Sequence, residues 1–222
     1  MEVRKLRLLV VGANGGLGRQ VVSHALKRGH RVTALVRRAE AMDTAEGLSI
    51  VEGAAGDHLP SVSHAVQGQE AVICALGNPL WLAGHRGPAV MARSASNLVT
   101  AMHLHDVQRI VVPLAWGSGE SRYATSRPLR VLTRLLIRRD YQDFDTAEQI
   151  LAASGLDYTV VYFGALTDQA ATTAWQATGE LRSPSPMAVS RADLAQCLVD
   201  VAEGPGCATH LAVSGGRTGG AA

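Results

Sequence analysis

Apolar residues fall along this chain in short unbroken runs separated by stretches of helical periodicity, the pattern of parallel strands covered on both faces. Leu6–Val11 is the first run. A glycine-rich stretch follows, and then Leu17, Val21, Val22, Ala25 and Leu26 recur at helical spacing until Gly29. Arg31–Val36 predicts a second strand, Ser49–Glu52 a short third and Ala71–Leu76 a fourth, with a short helix over His58–Val66. A long helix is expected over Ala89–His105 and a fifth strand over Arg109–Leu114. The second half is less strict. It predicts helices over Val131–Ile137 and Thr146–Ala153, with a break near Asp140–Tyr141, and a sixth strand over Tyr158–Phe163. Thr167–Pro186 has no clear period and contains two prolines, so it is expected to wrap over the top of the sheet. Arg191–Ala202 reads as a helix with Ser190 as its N-cap, and His210–Val213 as a last strand. The alternation defines one doubly wound, three-layer α/β/α domain over residues 1–213, with 214–222 a Gly/Ala-rich flexible tail.

Composition bounds what such a domain does. The 222 residues are 47% hydrophobic and 18% charged, enough for a sizeable core and unlike a disordered or fibrous chain. A formal charge of +2 points to neither nucleic acid nor an anionic membrane as main partner. Cys74, Cys197 and Cys207 form no C-x-x-C pair and are odd in number, which favours a reducing, intracellular setting. The apolar start stops at Gly12, too short for a secretory segment, and nothing approaches a membrane span, so a soluble cytoplasmic protein is expected. All basic residues except Lys5 and Lys27 are Arg, a bias that a GC-rich genome produces.

Gly12-Ala13-Asn14-Gly15-Gly16-Leu17-Gly18 stands directly between the first strand and the first helix. There, glycines permit a tight turn, let a ligand approach the backbone and let helix and strand pack closely. The unpaired N–H groups of the helix start attract a pyrophosphate. The competing reading is a plain glycine-rich turn; the context of repeated βα units favours a Rossmann-type dinucleotide site. At the end of the second strand an acid would take the ribose 2′-hydroxyl of NAD, whereas an Arg accommodates the 2′-phosphate of NADP. Leu35-Val36-Arg37-Arg38 has no acid until Glu40, so NADPH/NADP is expected over NAD, with Arg37 on the phosphate and Arg38 beside it or on the adenine.

The chain resembles the atypical short-chain dehydrogenase/reductases of the NmrA-like group that includes biliverdin-IXβ/flavin reductase. The resemblance spans nearly the whole chain. It rests on VVGANGGLG (Val10–Gly18), VTALVRR (Val32–Arg38), QGQEAVICALG (Gln67–Gly77), RIVVPLAWGSGESR (Arg109–Arg122), EQILAASGLDYTVV (Glu148–Val161) and VSRADLAQCLV (Val189–Val199). It implies NADPH across the strand tips, with the nicotinamide near Leu76-Gly77-Asn78, Leu114-Ala115-Trp116 and Phe163-Gly164. Some members serve aromatic polyketide (antibiotic) pathways, where a reduced quinone passes to a partner oxygenase.

The pattern departs from the family in its proton donors. Relatives often carry Ser at the end of strand five, where this chain has Leu114 and Ala115, and the Tyr-x-x-x-Lys pair of ordinary members is absent. Tyr123-x-x-x-Arg127 imitates the spacing, but Arg stays protonated. Reducing an isolated ketone needs a proton donor; reducing a quinone, flavin or bilin needs much less, because charge spreads over the acceptor. Leu114, Trp116, Tyr141, Phe163 and Leu166 are expected to line an apolar pocket for a flat acceptor, so the catalytic expectation falls on Tyr141 and Trp116. Tyr141 and Asp143 lie where relatives carry a Tyr-x-Asp block, and packing is the other reading of Tyr141.

No metal site is expected. His103 and His105 diverge by about 200° on a helix, and His58 and His64 read as surface residues. Six Arg between Arg122 and Arg139 make either a solvated helix face or a partner surface or entrance for an acidic substrate. The expected function is NADPH-dependent hydride transfer to a quinonoid or conjugated aromatic small molecule. The rivals are a non-catalytic NADP-binding regulator and an epimerase or cyclase that retains its nucleotide.

Overall fold

The computed structural model describes residues 4–77, 89–125 and 138–216, apart from 173, 205 and 207. Strands β1 (Arg7–Val11), β2 (Arg31–Val36), β3 (Leu48–Glu52), β4 (Ala71–Cys74), β5 (Arg109–Ala115), β6 (Asp157–Phe163) and β10 (His210–Ser214) lie parallel in the order β3-β2-β1-β4-β5-β6-β10. β8 (Gln176–Thr178) adds an antiparallel edge beside β10, and β7 (Ala165–Thr167) pairs with β9 (Ala188–Ser190) in a separate two-stranded ribbon. The chain therefore builds outward from β1 in one direction and returns at β4 to build in the other. This reversal opens a crevice at the carboxyl ends of β1 and β4, where ligands bind in open α/β sheets.

Two cores explain the unbroken apolar strands. On one face, α2 (Leu59–Val66), α3 (Val90–Leu104) and α5 (Arg138–Ala152) cover Leu9, Val11, Val72, Cys74, Ile110, Val112 and Leu114. On the other, α1 (Gly16–Lys27) and α6 (Arg191–Glu203) cover Leu8, Val10, Ile73, Val111 and Val161. The remaining helix, α4 (Ser121–Ala124), is a single turn after β5. Cys74 and Cys197 are buried free thiols in these cores, and burial pushes them up to about 11 and about 12. Cys207 lies outside the described residues.

At the amino ends of the strands, His30 accepts from the Leu6 N–H through Nδ1 at 3.1 Å. Nε2 therefore carries the ring proton of the neutral form, and it faces Glu203 at 2.5 Å. That contact fastens α6 to β2 on the side of the sheet away from the crevice.

Several boundaries differ from expectation. α5 is continuous through Asp140 and Tyr141, where a break is predicted, because Asp140 and Asp143 are buried rather than solvated. Asp143 accepts from the N–H groups of Met91 and Ala92, at 3.0 and 2.8 Å, and so caps α3, whose own N-cap, Ala89, has no side chain to do it. The expected wrap over 167–186 contributes edge strand β8, three exposed residues with no apolar signal. Strand β10 runs to Ser214, and Gly215 is buried against the Ala188 carbonyl, so residues 214 and 215, expected in a tail, belong to the packed fold. The helix expected over 131–137 and residues 217–222 lie outside the described residues. Among the described residues, no helix is long and apolar enough to cross a membrane.

Replacing Asp143 with Ala leaves two N–H groups without their carboxylate. Urea unfolding of Asp143→Ala is expected to show a loss of roughly 1–3 kcal/mol; an unchanged midpoint would mean α3 is capped otherwise.

Candidate functional site

The glycine turn occupies the carboxyl end of β1. Gly12 has φ +76°, a left-handed value that favours glycine, and a Cβ there would stand 2.8 Å from Leu76 Cδ2 and 3.1 Å from the Leu76 nitrogen. A Cβ on Gly18 would stand 2.2 Å from the Gly12 carbonyl oxygen. The turn thus lets α1 settle onto β1 while the end of β4 closes on it from the side. Gly15 is the N-cap of α1, in extended conformation, with no side-chain cap and no acid in the first turn. The N-terminal N–H groups and the partial positive charge there remain uncompensated by the helix itself. Asn14 is held by Arg19, whose Nε donates to its backbone carbonyl at 3.2 Å and whose guanidinium also meets its side-chain oxygen. Leu17 and Gly18 are buried under the turn.

The other predicted cofactor residues are strand tips on the same edge. Arg37 and Arg38 follow β2 and are exposed. Leu76 and Gly77 follow β4, with Leu76 partly covered and Gly77 exposed, and Asn78 lies outside the described residues. Ala115 pairs with Phe163 in register, and the Trp116 N–H donates to the Phe163 carbonyl at 2.7 Å. A Cβ on Gly164 would meet the Met187 carbonyl oxygen at 2.1 Å, so the chain crosses closely behind the β6 tip.

The predicted five-residue pocket does not form as one wall. Leu114 pairs with Tyr162, and Phe163 is one residue further, so the period of two sends Leu114 and Phe163 to opposite faces. Leu114, 1% exposed, packs with Trp116 and Tyr141 in the core beneath α5. Phe163 and Leu166 join the core beneath α1 and α6. Tyr141 donates its hydroxyl to the Trp116 carbonyl at 2.8 Å. Burial, aided by the Asp145 carboxylate, pushes that hydroxyl up to about 12, so it stays protonated at neutral pH.

Three hydroxyls just beyond strand five donate to backbone carbonyls. Ser118 donates to the Ala115 carbonyl at 2.7 Å, Ser121 to the Ser118 carbonyl at 2.6 Å and Thr125 to the Ser121 carbonyl at 3.0 Å. The Ser121 oxygen in turn accepts from the Gly117 N–H at 2.9 Å. By contrast, the indole N–H of Trp116, 5% exposed, has no hydrogen-bond partner among the described residues.

A buried cluster not anticipated from the sequence props this loop. Tyr162 donates to Glu148 at 2.7 Å, His210 Nε2 lies 3.0 Å from the other carboxylate oxygen, and the Glu120 N–H donates to the Tyr162 oxygen at 3.0 Å. Burial pushes the Glu148 carboxyl up, but hydrogen bonds from His210 and Tyr162 and charge on His210 outweigh it, leaving it below the ordinary 4.5. Only the fold unites residues separated by 62 positions.

Other sequence candidates play structural parts. His58 accepts from the Ser61 N–H at the start of α2, His105 meets Ser63 at 2.8 Å, and His64 and His103 are exposed. Among the described residues, no three His, Cys, Asp or Glu gather as a metal site. Tyr123 is exposed beneath the Arg122 guanidinium, and Arg122 pairs with Asp145 at 3.1 Å. Arg139 is exposed, and residues 127, 130 and 134 lie outside the described residues.

A parallel sheet with a reversal at β1/β4 and an uncapped, glycine-cradled helix at that point defines a Rossmann-type dinucleotide-binding domain. The chain belongs to the NAD(P)H-binding family, whose model matches residues 12–205. It is 36% identical over 88 residues to the isoflavone reductase homolog IRL of Zea mays, a match covering 35% of this chain and 28% of that protein. Its fold is that of ChuY, an anaerobillin reductase from Escherichia coli O157:H7, with a TM-score of 0.76 at 22% identity over 97% of this chain and 100% of that one. A short-chain dehydrogenase/reductase from Veillonella parvula in complex with NADP superposes with a TM-score of 0.74 at 17% identity, over 97% and 96% of the two chains.

Two outcomes are expected from this geometry. Gly18→Ala forces the turn from α1 and is expected to lose roughly 1–3 kcal/mol of stability together with dinucleotide binding, read by thermal melts with and without NADP+. Glu148, depressed in the folded state, contributes stability that is complete above about pH 5 and is lost as pH falls through its folded value. Urea midpoints between pH 7 and 3.5 are therefore expected to fall less steeply for Glu148→Gln than for the parent.

Proposed function

We propose that the protein is an NADPH-dependent reductase that passes hydride to a planar conjugated acceptor, of quinone, flavin or bilin type. The observation that carries this reading is the strand-five tip. It stands beside the glycine cradle, yet its strand residues are Leu114 and Ala115, and the nearby Ser118, Ser121 and Thr125 hydroxyls all donate to backbone carbonyls. Such a tip has no ready acid for an isolated ketone but suits an acceptor that delocalises charge and takes its proton from water.

The residues fit a dinucleotide: Gly12 and Gly18 permit a close turn that a Cβ at either position would break, and α1 begins with uncompensated N–H groups. When bound, the nicotinamide supplies the hydride. The chain holds the diphosphate at Gly15, Gly16 and Leu17. Arg37, exposed after β2, selects the 2′-phosphate, with Arg38 beside it. Among the described residues, the buried Trp116 indole N–H is a side-chain donor without a partner, and Tyr141, held on the Trp116 carbonyl, fixes the backbone that carries it. The enzyme's contribution is then mainly proximity and orientation. The anaerobillin acceptor of the ChuY neighbour belongs to the same conjugated class. The family resemblance supplies a setting: a quinonoid intermediate of aromatic polyketide synthesis, reduced here and passed to a partner oxygenase.

The engaged hydroxyls also favour a second reading, a non-catalytic NADP-binding regulator. Anaerobic NADPH oxidation against quinones, flavins, bilins and simple ketones separates the two. Turnover confined to conjugated acceptors is expected; oxidation by none of them favours the regulator, and ketone reduction sinks the acceptor assignment. Arg37→Ala is expected to weaken NADPH binding by at least tenfold and NADH binding by less than twofold, since one charge-assisted contact contributes roughly 1.5–3 kcal/mol. Equal affinities of the parent for both cofactors would remove Arg37 from its role.

A further inference from the structure

Arg191, the first residue of α6, lies against the start of α1. A Cβ on Gly16 would stand 3.2 Å from both Cδ and Nε of Arg191 and 3.8 Å from Cζ. The guanidinium is directed to Asp168, just beyond β7, with Nη1 2.5 Å from a carboxylate oxygen. Arg191 is 29% exposed and Asp168 88% exposed. Two sources of positive potential thus meet at one spot: the uncapped end of α1 and a guanidinium laid across its first residue. Asp168 is the carboxylate that offsets them, and it does so from solvent, where an ion pair holds weakly.

We infer that Arg191 is a ligand of the dinucleotide's diphosphate and that Asp168 is its resident counter-ion, displaced when the cofactor binds. The inference rests on the dinucleotide reading above. A diphosphate seated on the N–H groups of Gly16 and Leu17 brings negative charge beside the Arg191 fork, which matches phosphate oxygens bidentately. It gains from the helix end and from the guanidinium together, whereas Asp168 reaches the guanidinium alone. The exchange frees the chain at Asp168. The same segment keeps its second anchor, because the Thr172 N–H and hydroxyl donate to Asp193, both at 2.9 Å. Cofactor binding therefore loosens the stretch between β7 and Thr172, beside the tip of β6, without detaching it.

A double-mutant cycle on the full chain tests this, with NADP+ and NAD+ affinities measured by calorimetry. Arg191→Ala is expected to weaken NADP+ at least tenfold. Asp168→Asn, a surface change that spares the core, is expected to tighten it two- to fivefold in the parent and to change nothing in the Arg191→Ala background. A parent that binds NADP+, with Arg191→Ala within twofold of it or Asp168→Asn weaker than it, overturns the assignment and leaves the dinucleotide reading standing. A parent that binds neither nucleotide removes both.

Discussion

The fold turns on the space denied to side chains around one carbonyl group. The Gly12 oxygen occupies the place where a side chain on residue 18 would project, and Leu76 from the next strand stands where a side chain on residue 12 would lie. Helix α1, strand β1 and the end of β4 converge there within van der Waals distance. Close packing at that point leaves the helix N–H groups facing open crevice rather than protein. The geometry that makes the sheet compact is therefore also what leaves a polar helix end available to an anion.

Around that point, polar groups divide into those already satisfied and those left open. Beyond strand five, the Ser118, Ser121 and Thr125 hydroxyls each donate to a carbonyl, and Glu148, Tyr162 and His210 hold the loop from below through mutual hydrogen bonds. Buried groups so paired rigidify a loop but are poorly placed for proton transfer, since a proton leaving them breaks the network. The Trp116 indole N–H and the start of α1 are not so consumed. The two lie on the same edge of the sheet.

Local features were legible in the sequence, and features made by distant contacts were not. The βα alternation, the glycine turn and the Ser190 cap each depend on neighbours within a few positions, and the Ser190 oxygen does accept from the Asp193 N–H at 2.9 Å. The first turns of α5 were obscured because Asp140 and Asp143 interrupt its apolar period; Asp143 is buried to cap another helix, a role no local pattern reveals. Strand β8 is three exposed residues held by the backbone of β10, so it has no hydrophobic signature. The apolar residues predicted as one pocket wall were correctly identified as apolar, but alternation along paired strands sends them to two faces. Arg191 stood in plain view within VSRADLAQCLV, yet only the folded chain lays it on Gly16.

The reversal of chain direction at β1 and β4 divides labour along the polypeptide. The glycine turn and the Arg37–Arg38 pair lie within the first 38 residues, whereas the surfaces around the tips of β5 and β6 come from residues after 108. The two parts meet where α6 packs on α1, with Glu203 on His30 and Arg191 against Gly16, while Leu76 from the end of β4 closes on Gly12. Because the glycine turn is packed by its own carbonyl and by Leu76, changes at the β5 and β6 tips can alter the crevice without disturbing it. A single glycine-lined turn can thereby stand beside crevice walls of quite different chemistry.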